Sequence, residues 1–431
     1  MKPGFYTIMA AQFFSSLADN ALLIASIALL VSLNAPAEVT PMLKFFFTVS
    51  YVVLAAFVGA FADSRPKGTV MFYTNTIKIA GCMLLLFSEF LTFRTAEDYY
   101  IVLAAYGLVG LGAAAYSPAK YGILTELLPA EQLVIANGWI EGLTVASIIL
   151  GTMVGGLLIN PKVSEVLLAM DIAPFDTGID TAPEAAMAII ALFYVIAAIF
   201  NLYIPDTGAR YARQSTNPVK LFTDFVHCFK TLWQDKLGQI SLAVTTLFWG
   251  AGATLQFIVL KWAESQLGLP LDKGAILQGV VAVGIAIGAV TAARFVPLKK
   301  SMQVLPFGVA MGFVVILMVF IHSTWLAYPL CVLIGAMAGY FVVPMNALLQ
   351  HRGHVMLSAG HSIAVQNFNE NLNILIMLCL YALMIRAEFS INTVIVLFGM
   401  FVSGTMALVM LWNRSNHRNH NLDHLIGEAK H

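Results

Sequence analysis

Asp19 and Asn20 interrupt an apolar run over residues 5–33, about 20 Å along a helix that starts near Phe5. An ionisable group at membrane depth costs about 2.5–3.5 kcal/mol to insert, so one that persists faces protein or a water-filled cavity. Asp19 is therefore expected to hold a substrate or a coupling ion, with a packing lock between helices as the other reading. The run 359–386 is richer still: His361, Ser362, Gln366, Asn367, Asn369, Glu370, Asn371 and Asn373 crowd one stretch. Ser362, Gln366, Glu370 and Asn373 follow i, i+4, i+8, i+11, so they form one helical stripe that cannot face lipid. The stripe is expected to line a hydrated path; an interhelical hydrogen-bond seam is the alternative.

Three further positions carry charge or amide groups where ligand chemistry is conceivable. Lys120 follows Pro118 in Ser117-Pro118-Ala119-Lys120-Tyr121-Gly122. There a broken helix would expose backbone dipoles and an ammonium to an anionic group, unless the lysine snorkels to the interface. Gln256 and Lys261 are expected at the far end of the same cavity. Lys78, ten residues into its apolar run, reads as a snorkelling or paired lysine. Catalytic patterns are missing: there is no His/Cys ligand cluster, nucleophile elbow or nucleotide-binding motif, so an enzyme is not expected, nor any cofactor. The four cysteines, Cys82, Cys228, Cys331 and Cys379, lie far apart without metal-type spacing and read as packing residues.

The elements that must position these groups follow from composition. Hydrophobic residues make up 59% of the 431 and charged residues 11%, with a mean hydropathy of +0.83. A soluble domain carries about 25% charged residues, so this chain cannot coat a globule with polar surface. That excludes a soluble enzyme, a nucleic-acid binder and a disordered scaffold. Twelve apolar runs of membrane-spanning length appear, at 5–33, 42–62, 69–93, 99–122, 132–159, 185–204, 238–263, 274–296, 304–322, 325–348, 359–386 and 391–413. Lys and Arg in the connections divide fifteen against six between the two sides. This bias places both termini in the cytoplasm. The longest opposite loop is acidic, with Glu165, Asp171, Asp176, Asp180 and Glu184.

The basic connection after residue 204 separates six runs from six. The expected organisation is an N-terminal half over 1–204, a cytoplasmic linker over 205–237, a C-terminal half over 238–413 and a cytoplasmic tail over 414–431. Such halves are typical of carriers built from repeats. A weak repeat supports it: Pro118 aligns with Pro344 after small-residue stretches, and Asn137-x-x-x-Glu141 matches Gln366-x-x-x-Glu370, an amide and a carboxylate one turn apart in each half.

Gly59 to Gly68 (GAFADSRPKG) resembles the G-x-x-x-D-x-x-x-[RK]-x loop between helices 2 and 3 of the major facilitator superfamily. A carboxylate at a helix end beside two cations makes a breakable latch, so Asp63 with Arg65 or Lys67 is expected to gate. Six stretches narrow the resemblance: QFFSSLADNALL from Gln12, AAAYSPAKYGILTE from Ala113, ANGWIE from Ala136, FWGAGATL from Phe248, FVVPMNALLQ from Phe341 and AVQNFNEN from Ala364. Together they resemble the bacterial lysophospholipid transporter family over essentially the whole chain. The resemblance implies an all-α membrane protein of twelve transmembrane helices in two six-helix halves, the major facilitator fold, in the bacterial inner membrane. It implies a flippase moving lysophospholipids such as lysophosphatidylethanolamine from outer to inner leaflet for reacylation. A separate cytoplasmic acyltransferase (acyl-ACP synthetase) would act next. The implied headgroup contacts are Asp19, Asn20, Lys120, Glu141, Gln256, Gln366, Asn367, Glu370 and Asn371. At Gln256 the family carries an Arg, so the cation balancing the carboxylates is displaced here, with Lys261 five residues on as a substitute. The rival reading is a proton-coupled carrier of a small soluble metabolite or drug, with Asp19 and Glu370 as coupling carboxylates.

Overall fold

A computed structural model describes residues 3–36, 39–88, 99–169, 179–212, 214–269 and 271–419. Lys2, Arg94, Asp171, Asp176, Arg213, Lys430, the last residues of the expected third run and residues 420–431 of the tail lie outside them. Among the described residues every regular element is helical. In lipid an unpaired backbone group has no water to turn to, so each crossing segment must satisfy its hydrogen bonds internally. The helices are α1 (Pro3–Ser32), α2 (Val39–Val53), α3 (Ala55–Asp63), α4 (Lys67–Leu86), α5 (Tyr99–Leu127), α6 (Leu133–Leu158), α7 (Pro161–Leu168) and α8 (Ala182–Leu202). They continue with α9 (Pro218–Gln234), α10 (Gly238–Ser265), α11 (Leu271–Phe295), α12 (Leu305–Ile316), α13 (Thr324–Met356), α14 (Ala359–Arg386) and α15 (Ile391–Asn419). Among the described residues eleven helical spans are long and apolar enough to cross a bilayer, and α2 with α3, bent by 65° at Leu54, brings the number to twelve when the pair is taken as one span.

Helix ends follow local chemistry. Asn160 and Asn217 cap α7 and α9, each accepting from the backbone N–H two residues on and each followed by a proline at the first helical position. Glu184, expected as a loop charge, is instead buried and accepts from the N–H groups of Asp180 and Thr181 at 2.9 Å, stitching the start of α8. Pro118 does not break its helix: α5 runs unbroken from Tyr99 to Leu127, and Pro344 likewise lies inside α13. A proline removes one N–H donor, and a membrane helix tolerates that single loss when neighbouring helices pack around it.

The chain divides into two compact units, Met1–Lys120 with Ala146–Ser215, and Tyr121–Val145 with Thr216–His431. The division runs through α5 and α6, so residues 121–145, from the first half of the sequence, belong to the second unit. In the first unit α1 and α4 pack along α8 around a core that includes Leu22, Cys82, Val102, Tyr106 and Ile190. In the second, α11 lies against α13, α12 against α15 and α10 against α14. The α11–α13 seam is built on two small-residue pairs, Gly284 with Gly288 and Gly335 with Gly339. A Cβ at Gly288 would collide with the Ala336 carbonyl and one at Gly339 with the Ile285 carbonyl. Backbones approach this closely only where side chains are missing.

The stretch expected as a plain linker carries α9, which belongs to the second unit. Phe225 and Phe229 meet Phe368 of α14 edge-on, at ring-centroid distances of 5.5 and 6.1 Å. At its end Asp235 accepts from the Gly238 N–H that opens α10, at 2.6 Å. It also forms a buried two-bond ion pair with Arg352 of α13, at 2.8 and 3.2 Å. Paired forks of this kind hold geometry as well as charge. On the exposed connector after α8, hydrogen bonds from Arg210 pull the Asp206 carboxyl down to about 2.

Candidate functional site

In the first unit the deep carboxylate of α1 is not a lone charge. Asp19 Oδ2 accepts from Lys78 Nζ of α4 at 2.8 Å, and Oδ1 accepts from the Tyr194 hydroxyl of α8 at 2.7 Å. Lys78 also donates to Ser15 Oγ at 3.0 Å, and Ser15 passes a bond to Asn75 Oδ1 at 2.8 Å. The rings of Tyr116 and Tyr194 lie 5.1 and 5.8 Å from the ammonium, within the range of cation–π attraction. The cation that balances Asp19 is thus Lys78. Asn20, beside it, turns back and donates to the Ser16 carbonyl of its own helix.

Lys120 is partly buried on the unbroken α5, without the exposed helix end expected beside it. In the turn between α3 and α4, Lys67 reaches Asp63 at 2.5 Å and the Ala62 carbonyl at 2.9 Å, with the pair nearly inaccessible. Arg65 takes no part in that contact: it is exposed, 3.4 Å from the Tyr73 hydroxyl and over its ring. Of the two cations offered to Asp63, the one four residues on, at the start of α4, pairs with it.

The second unit links the carboxylates of both pairs, Glu141 and Glu370, through two amides. Asn346 of α13 donates to Glu141 Oε1 of α6 at 3.4 Å and accepts from Gln366 Nε2 of α14 at 3.0 Å. Gln366 donates again, to Glu370 Oε1 at 2.7 Å. One turn along, Asn137 and Gln350 exchange reciprocal amide bonds of 2.9 Å. All six side chains are buried, and Gln366 Oε1 meets no donor among the described residues. Between the two rows Gly138 lets α6 approach Ala289 of α11. At the two ends of the α14 stripe, Asn373 donates to the Thr246 carbonyl of α10 and Ser362 to the Ala359 carbonyl of its own helix. Asn367 is buried and its carbonyl accepts from Asn371.

Gln256 stands exposed on α10, and its backbone carbonyl accepts from the Gln278 side-chain amide at 2.7 Å. Lys261 does not turn back toward it but pairs with Glu264 at 2.9 Å, on an exposed surface. An acidic partner three residues on is nearer than an amide five residues back. Sequence reasoning missed Ser15, Asn75, Tyr194, Asn346 and Gln350. The readable trace was Asn346 and Gln350, one turn apart in the stretch FVVPMNALLQ; Tyr194 gives no such trace.

Buried charge and amide chains at mid-helix depth, in an all-helical protein of eleven or twelve spans, define a polytopic membrane carrier. Residues 8–372 match the family profile of the Major Facilitator Superfamily, and the chain belongs to that superfamily and, within it, to the family of the relatives that follow. It is 41% identical over 387 residues to "Lysophospholipid transporter LplT" of Yersinia enterocolitica serotype O:8 / biotype 1B, covering 90% of this chain and 88% of that one. It is 39% identical over 412 residues to the protein of the same name from Photorhabdus laumondii subsp. laumondii, covering 95% and 96%. Among solved structures, a bacterial homologue of the iron transporter ferroportin in the outward-facing state aligns with a TM-score of 0.73 at 12% identity, over 97% of this chain and all of that one. The transporter FucP in the outward conformation aligns at 0.71 and 14%, over 96% and 98%. At such identities these two likenesses describe the fold.

Proposed function

We propose that this protein carries lysophospholipids across the bacterial inner membrane, from the outer to the inner leaflet, where a separate cytoplasmic acyltransferase restores the second chain. The observation that carries this reading is the match, at about 40% identity over nearly the whole chain, to relatives named lysophospholipid transporter. The buried polar clusters suit it. A single-tailed lipid keeps its acyl chain in apolar surroundings while its head crosses the core. The head needs carboxylates for an amine, and amides and ammonium groups for phosphate and glycerol hydroxyls. Asp19 and Glu370 serve the amine, and Gln366, whose buried carbonyl meets no donor, offers it a further acceptor. Lys120 and the amides of α14 serve phosphate and hydroxyls. The two halves rock to expose the head to each face in turn, with Asp63 and Lys67 as a gating pair and both termini in the cytoplasm.

Reconstitution with fluorescent lysophosphatidylethanolamine tests the reading, scored by protection of the label from a membrane-impermeant quencher. Movement that depends on the protein is expected. The second reading, a proton-coupled carrier of a soluble solute, draws on Glu141 and Glu370 standing in one hydrogen-bonded chain. Solute uptake driven by a pH gradient, with lysolipid unmoved, would replace the first reading by the second.

A further inference from the structure

Asp19, Lys78 and Tyr194 each sit near the middle of their helices, at a depth where the bilayer offers no solvation to a charge. Lys78 is almost wholly enclosed, with 2% of its side chain accessible, whereas Asp19 keeps 19%. A partly accessible acidic side chain at this depth is poorly matched to hydrocarbon and suits a site that water or a ligand reaches. Of the two members of the 2.8 Å pair, Asp19 is therefore the more accessible to an entering group and Lys78 the more enclosed. The pair carries no net charge, and each member has a second partner: Tyr194 holds the other oxygen of Asp19, and Ser15 with the two rings holds Lys78. Either ion can therefore release the other without being stranded.

We propose that Asp19 and Lys78 form an exchangeable ion pair that admits both zwitterionic, ammonium-bearing phospholipid heads and anionic ones. An ammonium-bearing head takes Asp19, and a head carrying only a phosphate takes Lys78 while Asp19 stays on Tyr194. This rests on the lysolipid reading above. The neutral pair is what keeps the site tolerant. Strip one member and the remaining buried charge attracts one class of head and repels the other, and repulsion is the stronger source of selectivity. A packing lock makes the opposite statement: loss of either partner weakens the protein and slows every substrate alike.

The experiment is a competition in proteoliposomes of the full chain between two fluorescent lysolipids, one with a phosphoethanolamine head and one with a phosphoglycerol head. Asp19→Asn is expected to shift the transport ratio about tenfold toward phosphoglycerol, and Lys78→Gln about tenfold the other way. The double variant D19N/K78Q should return to within about threefold of the wild-type ratio. Unchanged ratios in both single variants, with both lipids slowed equally, would overturn the proposal and leave the transport reading standing. A wild-type protein that moves neither lipid would overturn both. Should a single variant fail to give monodisperse protein, the exchanged pair D19K/K78D decides. With the ammonium now outermost, the ratio should move toward phosphoglycerol, and an unmoved ratio sinks the idea.

Discussion

Glu370 accepts its hydrogen bond from Gln366 through Oε1, an oxygen that the amide of a glutamine would also present. Glu370→Gln therefore removes charge while keeping the contact. The melting temperature in detergent is expected to hold, because neutralising a buried carboxylate relieves desolvation. Transport per molecule should fall by about 2–3 kcal/mol if a charge-assisted bond to the headgroup is lost. Full flipping by a stable Glu370→Gln protein would leave Asp19 alone to meet the amine. Asn346 calls for the opposite kind of change, because it is a donor toward Glu141 and an acceptor from Gln366. Asn346→Asp matches it in shape but turns the donor into an acceptor facing a carboxylate. It should cost more stability than Asn346→Ala, by about 1–3 kcal/mol, read as the difference between their melting transitions.

The α11–α13 seam depends on the approach of main chains, with Val281, Ile285 and Ala336 carbonyls lying where Cβ atoms of Gly335, Gly339 and Gly288 would stand. A carbonyl in a helix cannot rotate aside as a side chain can. Gly288→Leu is thus expected to force the helices apart and lower stability by about 3 kcal/mol, the upper part of the overpacking range. Gly252→Leu, on α10 with open space around it, should leave the melting temperature unchanged. Thermal scans of both purified variants check the pair, and equal loss in both would show that the seam is not tightly packed. At the same scale α9 grips the back of α14 through Phe368, two residues from Gln366 and Glu370, so a connector helix buttresses the turn that bears the polar chain.

Across the whole molecule the fifteen-to-six division of Lys and Arg among the connections sets the expected orientation. Lys300 and Lys162 are both exposed and fall on opposite sides in that scheme. In a background where the exposed Cys379 is replaced by serine, Lys162→Cys should react with an impermeant thiol reagent outside intact cells, and Lys300→Cys should react only after lysis. The reverse pattern would invert the topology and, with it, the cytoplasmic placement of the termini.

Spans were legible in the residues because the hydropathy of a helix is a local sum: α14 occupies the expected 359–386, and most other ends fall within a few residues of their runs. The depth of Asp19 and the polar stripe of α14 were legible for the same reason. Pairing was not. Lys78 lies 59 residues from Asp19, Gln350 lies 213 from Asn137, and Asn346 lies 205 from Glu141. Which side chains meet at such separations depends on how each helix is rotated and how closely its neighbours pack, and composition carries neither. The unbroken α5 shows the same limit, because the cost of Pro118 is set by the helices around it. The residues alone determined that this chain must live in a bilayer as a bundle of helices with charge buried in it, since no other solvent suits its surface. Only the packed structure decided that the buried charge of α1 is an ion pair and that the distant carboxylates Glu141 and Glu370 are joined through Asn346 and Gln366. Those contacts arise from the geometry of the folded bundle.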